Sequence, residues 1–400
     1  VTLSAARIRA LIQECLPAVA RSILDNQRED GLFHAYNRLR IEEGRLGLIR
    51  LDEMLEGQVA VLSSGALSAA ESLHVLEALR RSELYTEQQH SYLLYPLKTL
   101  LRFTEKNQLD IAQIPAPLLA QLTQAGPDAI FDQDEHGRVY FSGHLTKSAD
   151  VDDVLDQLIA GGLPITQSDR QHLQQLFIDT FRHDLFTGRS GGMYAYEGIG
   201  SIYWHMVSKL LLAVSEVVVA ADKAGAPEKT VVRLRAMYED IRKGIGFNKT
   251  PEVYGAFPTD PYSHTPASGG ARQPGMTGQV KEEVLTRLAE IGLRVEAGNI
   301  VFDPVLLRTE EFVEARTLLH YFDPSGQPCT VSVDAGQLAY TYCQVPVVLQ
   351  QGDGPCITVR FSDGREETLL SDYLPKSLSE SIFMKRGEIA ALQVVLPVTT

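Results

Sequence analysis

Three stretches of the 400-residue chain carry more rings, carboxylates and histidines than a plain connection needs. Residues 30–37 hold Asp30, His34 and Tyr36. Residues 191–205 hold Tyr194, Tyr196, Glu197, Trp204 and His205, and residues 254–278 hold Tyr254, Asp260, Tyr262, His264, Arg272, Thr277 and Gly278. Together these are the parts of a sugar site. Aromatic rings stack on pyranose faces, charged and amide groups bond to hydroxyls, and a carboxylic acid protonates a glycosidic oxygen. Asp30, Glu197 and Asp260 are the candidate catalytic carboxyls. His34, Tyr36, Tyr194, Trp204, Tyr254, Tyr262 and His264 are the candidate substrate contacts. Thr277 and Gly278 begin a predicted helix behind a loop containing Arg272. Backbone N–H groups, a hydroxyl and a guanidinium can therefore converge there on one anion.

Each of these residues also has a structural role open to it. The glycines at 191, 192, 198 and 200 permit close approach to a ligand, or equally a turn before a core helix. His205 could be a satisfied core histidine, and Glu197 could cap the helix that follows. Asp260, between Thr259 and Pro261, suits a turn. His34 could be a solvated loop residue, and residues 276–278 an ordinary helix start.

These loops need elements to hold them. Apolar residues at helical spacing, Ile8, Leu11, Ile12, Leu16, Val19, Ile23 and Leu24, predict a first helix over about 4–26, with Ser4 as its cap. A second is predicted over 68–81, where Ser68 and Glu71 make a capping box. Pro96 interrupts the next segment, and a helix follows near 117–124. Residues 129–145 alternate around a His-Gly turn and predict a β-hairpin inserted in a helical body. Further helices are predicted over 150–160, 168–182, 201–222 with Ser201 as N-cap, 227–243 and 276–291. After Gly292 short alternating segments rich in Val, Ile and Tyr predict β-structure. The expected architecture is mainly α: an (α/α)6-type helical toroid over residues 1–292, then a small antiparallel β-sandwich or jelly-roll over 293–400.

Composition narrows the function. Net charge is −14 with no basic run, so a nucleic-acid surface is not expected. Cys15, Cys329, Cys343 and Cys356 are scattered; a reduced, cytoplasmic protein is expected, with one disulfide among the last three left open. The N-terminal residues lack the pattern of a signal peptide. The longest apolar run, near 210–221, is too short to span a bilayer. No metal-ligand spacing, phosphate-cradling GxxxxGK[ST] loop or GxSxG elbow is present, so no cofactor is expected.

Three segments resemble the inverting glycoside phosphorylases of the cellobiose and chitobiose phosphorylase group. SGGMYAY is similar to that family's Gly-Gly-aromatic segment before a barrel helix, and Tyr196 stands where the family has a phosphate-contacting histidine. PGMTGQ resembles the family's phosphate-holding Ser-Gly-Thr-Ala-Gly stretch and maps its Thr and Gly onto Thr277 and Gly278. DGLFHAYNRL resembles the segment that precedes the family's catalytic Asp-Trp-Asn-Asp, which is itself missing, leaving Asp30 and Glu197 as the nearest carboxylates. The resemblance covers the C-terminal half of such enzymes and implies an (α/α)6 barrel followed by a jelly-roll. It implies phosphorolysis of a β-linked glucan or oligosaccharide with inversion, inorganic phosphate being the co-substrate beside Tyr196, His205, Arg272, Thr277 and Gly278. Two alternatives remain: a glycoside hydrolase on the same fold, with Asp260 or Glu197 as general base, and a non-catalytic glycan-binding portion of a longer or split enzyme. A homo-oligomer, or a partner chain completing the barrel, is the expected assembly.

Overall fold

The computed structural model describes residues 4–42, 44–97, 99, 101–123, 130–183, 186–187, 193–194, 200–245, 249–254, 264–266 and 279–397. The chain divides into two compact units: Val1–Pro96 with Gly200–Thr400, and Leu97–Ile199.

Helix α1 (Ala5–Leu24) starts at Ser4, whose hydroxyl accepts the Arg7 N–H, as its sequence predicts. None of its residues is buried, and Ile8, Leu11, Ile12, Leu16 and Val19 are exposed. Strands β1 (Asn37–Glu42) and β2 (Arg45–Arg50) make a hairpin in a stretch that reads in sequence as connection, pairing Leu39 with Leu48 and Ile41 with Leu46. Helices α2 (Leu55–Ser63) and α3 (Ala69–Arg81) follow, α3 with both bonds of the Ser68–Glu71 capping box. Strands β3 (Tyr85–Thr86) and β4 (Ser91–Tyr92) form a short ribbon.

The second unit contains α4 (Phe103–Lys106), α5 (Ala116–Thr123), the hairpin β5 (Phe131–Gln133) and β6 (Val139–Phe141), α6 (Ser148–Ala160), α7 (Gln167–Phe181), and the ribbon β7 (Phe186–Thr187) and β8 (Met193–Tyr194). The predicted hairpin is therefore present. It packs Phe131, Val139 and Phe141 into a core with Leu122, Val151, Leu155, Leu173 and Phe177, as one layer of an inserted unit and not as an isolated decoration. The chain leaves and re-enters the first unit at one place. The Leu94 N–H donates to the Ser201 carbonyl at 2.8 Å, and the Gly200 N–H to the Tyr95 carbonyl at 3.3 Å.

The first unit resumes with β9 (Ser201–Tyr203), α8 (Trp204–Lys223), α9 (Glu228–Lys243), α10 (Pro251–Tyr254), β10 (His264–Pro266) and α11 (Gln279–Glu290). Ser201 is not a helix cap. Residues 201–203 are drawn into a strand by pairing with 264–266, and α8 starts at Trp204. α8 is long and apolar enough to cross a membrane by composition, but its apolar side chains form the centre of a core shared with α2, α3 and α9.

Beyond α11 come β11 (Leu293–Glu296), β12 (Asn299–Phe302), β13 (Thr317–Phe322), β14 (Pro328–Val333), β15 (Gln337–Tyr342), β16 (Val345–Gln351), β17 (Cys356–Phe361), β18 (Glu366–Leu369), β19 (Tyr373–Leu374), helix α12 (Lys376–Phe383) and β20 (Ile389–Leu396). The helical part is thus followed by small sheets, as expected. A wholly antiparallel arrangement does not hold, however. The largest sheet has the order β15-β16-β20-β17-β18, with β20 parallel to β16. After α12 the chain re-enters the middle of the sheet, and its last strand lies between two that were already placed. All four cysteines are free thiols.

The predicted boundary at Gly292 lies inside the first unit. Gly292 has φ +72°, and a Cβ there would stand 2.3 Å from the Asp303 carbonyl carbon. Both the left-handed backbone and the backbone contact forbid a side chain. Gly292→Ala should therefore cost at least about 2 kcal/mol, read as a lower urea midpoint with an unchanged m-value.

Candidate functional site

The second and third predicted stretches meet. β9 and β10 pair antiparallel, with Tyr203 opposite His264 and Ile202 opposite Thr265. This ribbon feeds directly into α8, whose second residue is His205. The His205 Nε2 lies 3.0 Å from Glu282 Oε1 in the first turn of α11, and its Nδ1 lies 3.3 Å from the Tyr203 hydroxyl. With Nε2 protonated it donates to the carboxylate, and Nδ1 accepts from Tyr203. Lys281 Nζ stands 3.5 Å from the same Glu282 oxygen. Glu282 is nearly buried, with its side chain 8% exposed, and His205 closes over it at 15%. A carboxylate on Nε2 holds the ring in one orientation and would repel an anion placed on that nitrogen. Sequence reasoning set His205 beside phosphate; in this geometry its Nε2 holds a carboxylate.

Trp204 and Tyr254 need correction as sugar platforms. Both rings are fully buried, and they pack on one another with centroids 4.2 Å apart and planes tilted by 44°. A ring enclosed on all sides cannot stack on a pyranose. Their size serves the core, where they lock α10 against the first turn of α8.

The first stretch folds back tightly on itself. Gln27 and Phe33 form a bridge, and the Arg28 N–H donates to the Leu32 carbonyl at 2.8 Å. Buried Gln58 of α2 clasps Phe33 from both sides, accepting its N–H at 2.9 Å and donating to its carbonyl at 2.8 Å. This pins the charged residues. Arg28 Nη2 reaches Asp30 Oδ2 at 2.7 Å and Glu53 Oε2 at 3.1 Å, and the Leu32 N–H donates to Asp30 Oδ1 at 3.0 Å.

One guanidinium thus serves two carboxyls in opposite ways. At Asp30 burial pushes the pKa up, but the bonds from Arg28 and the Leu32 N–H outweigh it and hold the carboxyl below its ordinary value. At Glu53 burial dominates, supported by the charges of Asp30, Glu83 and Asp52; Arg28 offsets it only in part, and the carboxyl lies above its ordinary value. A general acid must hold a proton at working pH. Of the two carboxyls here, Glu53, which sequence reasoning passed over, is the one whose surroundings favour the protonated form, and Asp30 the one whose surroundings favour the ionised form. Two carboxyls driven apart by environment are the usual basis for dividing acid and base roles.

His34 Nδ1 lies 3.0 Å from the Leu51 carbonyl, and burial keeps its pKa below the ordinary value. Tyr36 is exposed. The Glu53 region is tied to β9 through backbone: the Leu55 N–H donates to Leu94, whose N–H donates to Ser201. Tyr196, Glu197, Asp260, Tyr262, Arg272, Thr277 and Gly278 lie outside the described residues; for Tyr194 and His264 the described feature is strand pairing. Among the described residues no group of three or more His, Cys, Asp or Glu side chains could hold a metal ion.

The second unit has a cleft of its own, about 820 Å³, lined in part by Lys106, Asp110, Asp179 and Arg182. Phe181 is stacked between Phe103 (6.0 Å) and His183 (5.9 Å) at this cleft.

The topology defines a class first: a helical unit with C-terminal sheets, interrupted by an inserted module. Residues 100–184, wholly within that module, match the protein-family model described as GH149 phosphorylase insertion domain 2. The match relates the chain to the glycoside phosphorylases and hence to carbohydrate metabolism. No curated protein matches the chain.

Proposed function

We propose that this chain is the C-terminal portion of a cytoplasmic glycoside phosphorylase that cleaves a β-linked glucan or oligosaccharide with inorganic phosphate and inversion. The observation that carries the proposal is the agreement between the matched insertion domain and the place where the chain path itself is interrupted. The helices around α8 belong, on this proposal, to an (α/α)6-type toroid, and the sheets after α11 to its jelly-roll companion. Asp30 keeps Arg28 in place, and Glu53 protonates the leaving glycosidic oxygen. Phosphate enters from the opposite sugar face, held by Arg272, Thr277, Gly278 and Tyr196, where a hydrolase would place water. Glu282 and Tyr203 hold His205 at the root of the ribbon that carries His264. A partner chain supplying further helices would cover the apolar face of α1.

The test is product analysis. Incubation with β-linked glucan oligosaccharides should release sugar 1-phosphate in phosphate buffer and no reducing sugar without phosphate. Arg272→Ala should raise the phosphate concentration needed for half-maximal rate. Reducing sugar released equally in phosphate-free buffer would favour hydrolysis and remove the proposal.

A further inference from the structure

Lys249 lies between α9 and α10, and its side chain turns inward. Its ammonium donates to three backbone carbonyl oxygens: Gly244 at 2.8 Å, His90 at 3.4 Å and, close by, Gln89. Two of these belong to the turn between β3 and β4. The third is the C-cap of α9, where the helix dipole favours a cation. Burial pushes the Lys249 pKa down to about 8.

The elements around this cage are already in backbone contact. A Cβ on Gly244 would stand 2.3 Å from the His90 carbonyl oxygen. His90 has φ +45°, bonds through Nδ1 to the Tyr85 hydroxyl at 3.1 Å, and through Nε2 to the Asp240 carbonyl at 3.1 Å. The charged and titratable groups on the elements packed here include Arg80 from α3, Tyr85, Glu87, His90 and Tyr92 from the ribbon, Tyr238, Glu239, Asp240, Arg242 and Lys243 from α9, and Glu252 from α10. Arg80 and His90 both pair with Asp240, each at 3.2 Å. Two residues beyond Lys249, α10 begins, and its last residue is the Tyr254 that packs on Trp204.

We propose that Lys249 is a positioning residue: its ammonium, caged by three carbonyls, seats α10 against Trp204 and so fixes the first turn of α8 that carries His205. Without the ammonium the three carbonyl oxygens lose the cation they share: a neutral amine has two N–H groups for three acceptors, an apolar side chain has none, and the short link to α10 loses its anchor. The proposal concerns the packing of this unit and stands whether or not the chain cleaves glycosides.

Trp204 is the only tryptophan in the 400 residues, and it is fully buried, so its fluorescence reports on the packing around it, the Tyr254 ring included. In Lys249→Met, which keeps the volume and removes the charge, Trp204 emission should move to longer wavelength and acrylamide quenching should rise several-fold, with helical circular dichroism retained. In the wild type the same red shift should appear as pH rises through about 8. Propylammonium added to Lys249→Ala should restore the short-wavelength emission, and tetramethylammonium, which has no N–H, should not. Unchanged emission in Lys249→Met, or rescue by tetramethylammonium as well, would overturn the proposal. Should Lys249→Met lose its cooperative melt, Lys249→Arg decides: its guanidinium stays charged, so its emission should remain at short wavelength past pH 9, and a wild-type-like red shift there would equally overturn it.

Discussion

Replacement of Glu290 by alanine should lower the stability of the unit built from Val1–Pro96 and Gly200–Thr400 by about 3 kcal/mol. Glu290 closes α11 with its carboxylate buried. Its Oε1 accepts from the Tyr238 hydroxyl at 2.7 Å and from Arg242 at 2.6 Å, and its Oε2 from Arg287 at 2.8 Å. Removing one member of a buried charged network leaves the others without their counter-charge, at about 3–5 kcal/mol. The lower end applies here because Arg287 is 42% exposed and keeps a second partner in Glu311. Urea denaturation followed by circular dichroism will measure it. The pH dependence has a definite sign. Burial pushes the Glu290 pKa up, but the bonds from Tyr238, Arg287 and Arg242 outweigh it, so the folded value lies below the ordinary one. The contribution is therefore complete above the unfolded carboxyl pKa and is lost as pH falls through the folded value. The gap between wild type and Glu290→Ala should close in acid; a gap that persists at pH 2 would show that packing and not charge carries the effect.

With Glu53 as the proton donor of the proposed phosphorolysis, Glu53→Gln should lower its rate by about 10²–10⁴-fold, the usual contribution of a positioned general acid. Asp30→Asn should act differently. Asp30 shares Arg28 with Glu53, so its loss leaves that guanidinium to Glu53 alone, pulls the Glu53 pKa down and moves the basic limb of the rate profile to lower pH. In the wild type activity should fall as pH rises through the Glu53 pKa, because the acid form is then depleted. In Glu53→Gln that limb should vanish along with the rate. A fully active Glu53→Gln enzyme would exclude Glu53 as proton donor and return attention to Glu197.

The helices were legible wherever local signals set them. The capping box at Ser68 and Glu71, the apolar spacing in α1 and the His-Gly turn of the inserted hairpin all act within a few residues. What depended on distant partners was not legible. Ser201 reads as a helix cap until residues 264–266 arrive to pair with its strand. Glu282 carries no local sign of its role, because its histidine partner is 77 positions away. Trp204 and Tyr254 illustrate the opposite error. Large rings in polar surroundings suggest a ligand platform, yet their apolar area is worth more against each other in the interior than against a sugar in water. Glu53 was passed over because its raised pKa arises from burial and from the charge of Asp30, and because only the fold brings it, 25 positions on, to the Arg28 guanidinium.

The bonds joining Leu94 to Ser201 and Gly200 to Tyr95 make a doorway barely wider than a hairpin turn. Since both edges of that doorway are fixed by the host, the cost of closing the excursion between them rises only with the logarithm of its length. A guest of about a hundred residues then costs the host only about 2–3 kcal/mol more than a loop of about five. A domain whose own ends lie side by side could occupy the same port without any change to the bonds that frame it.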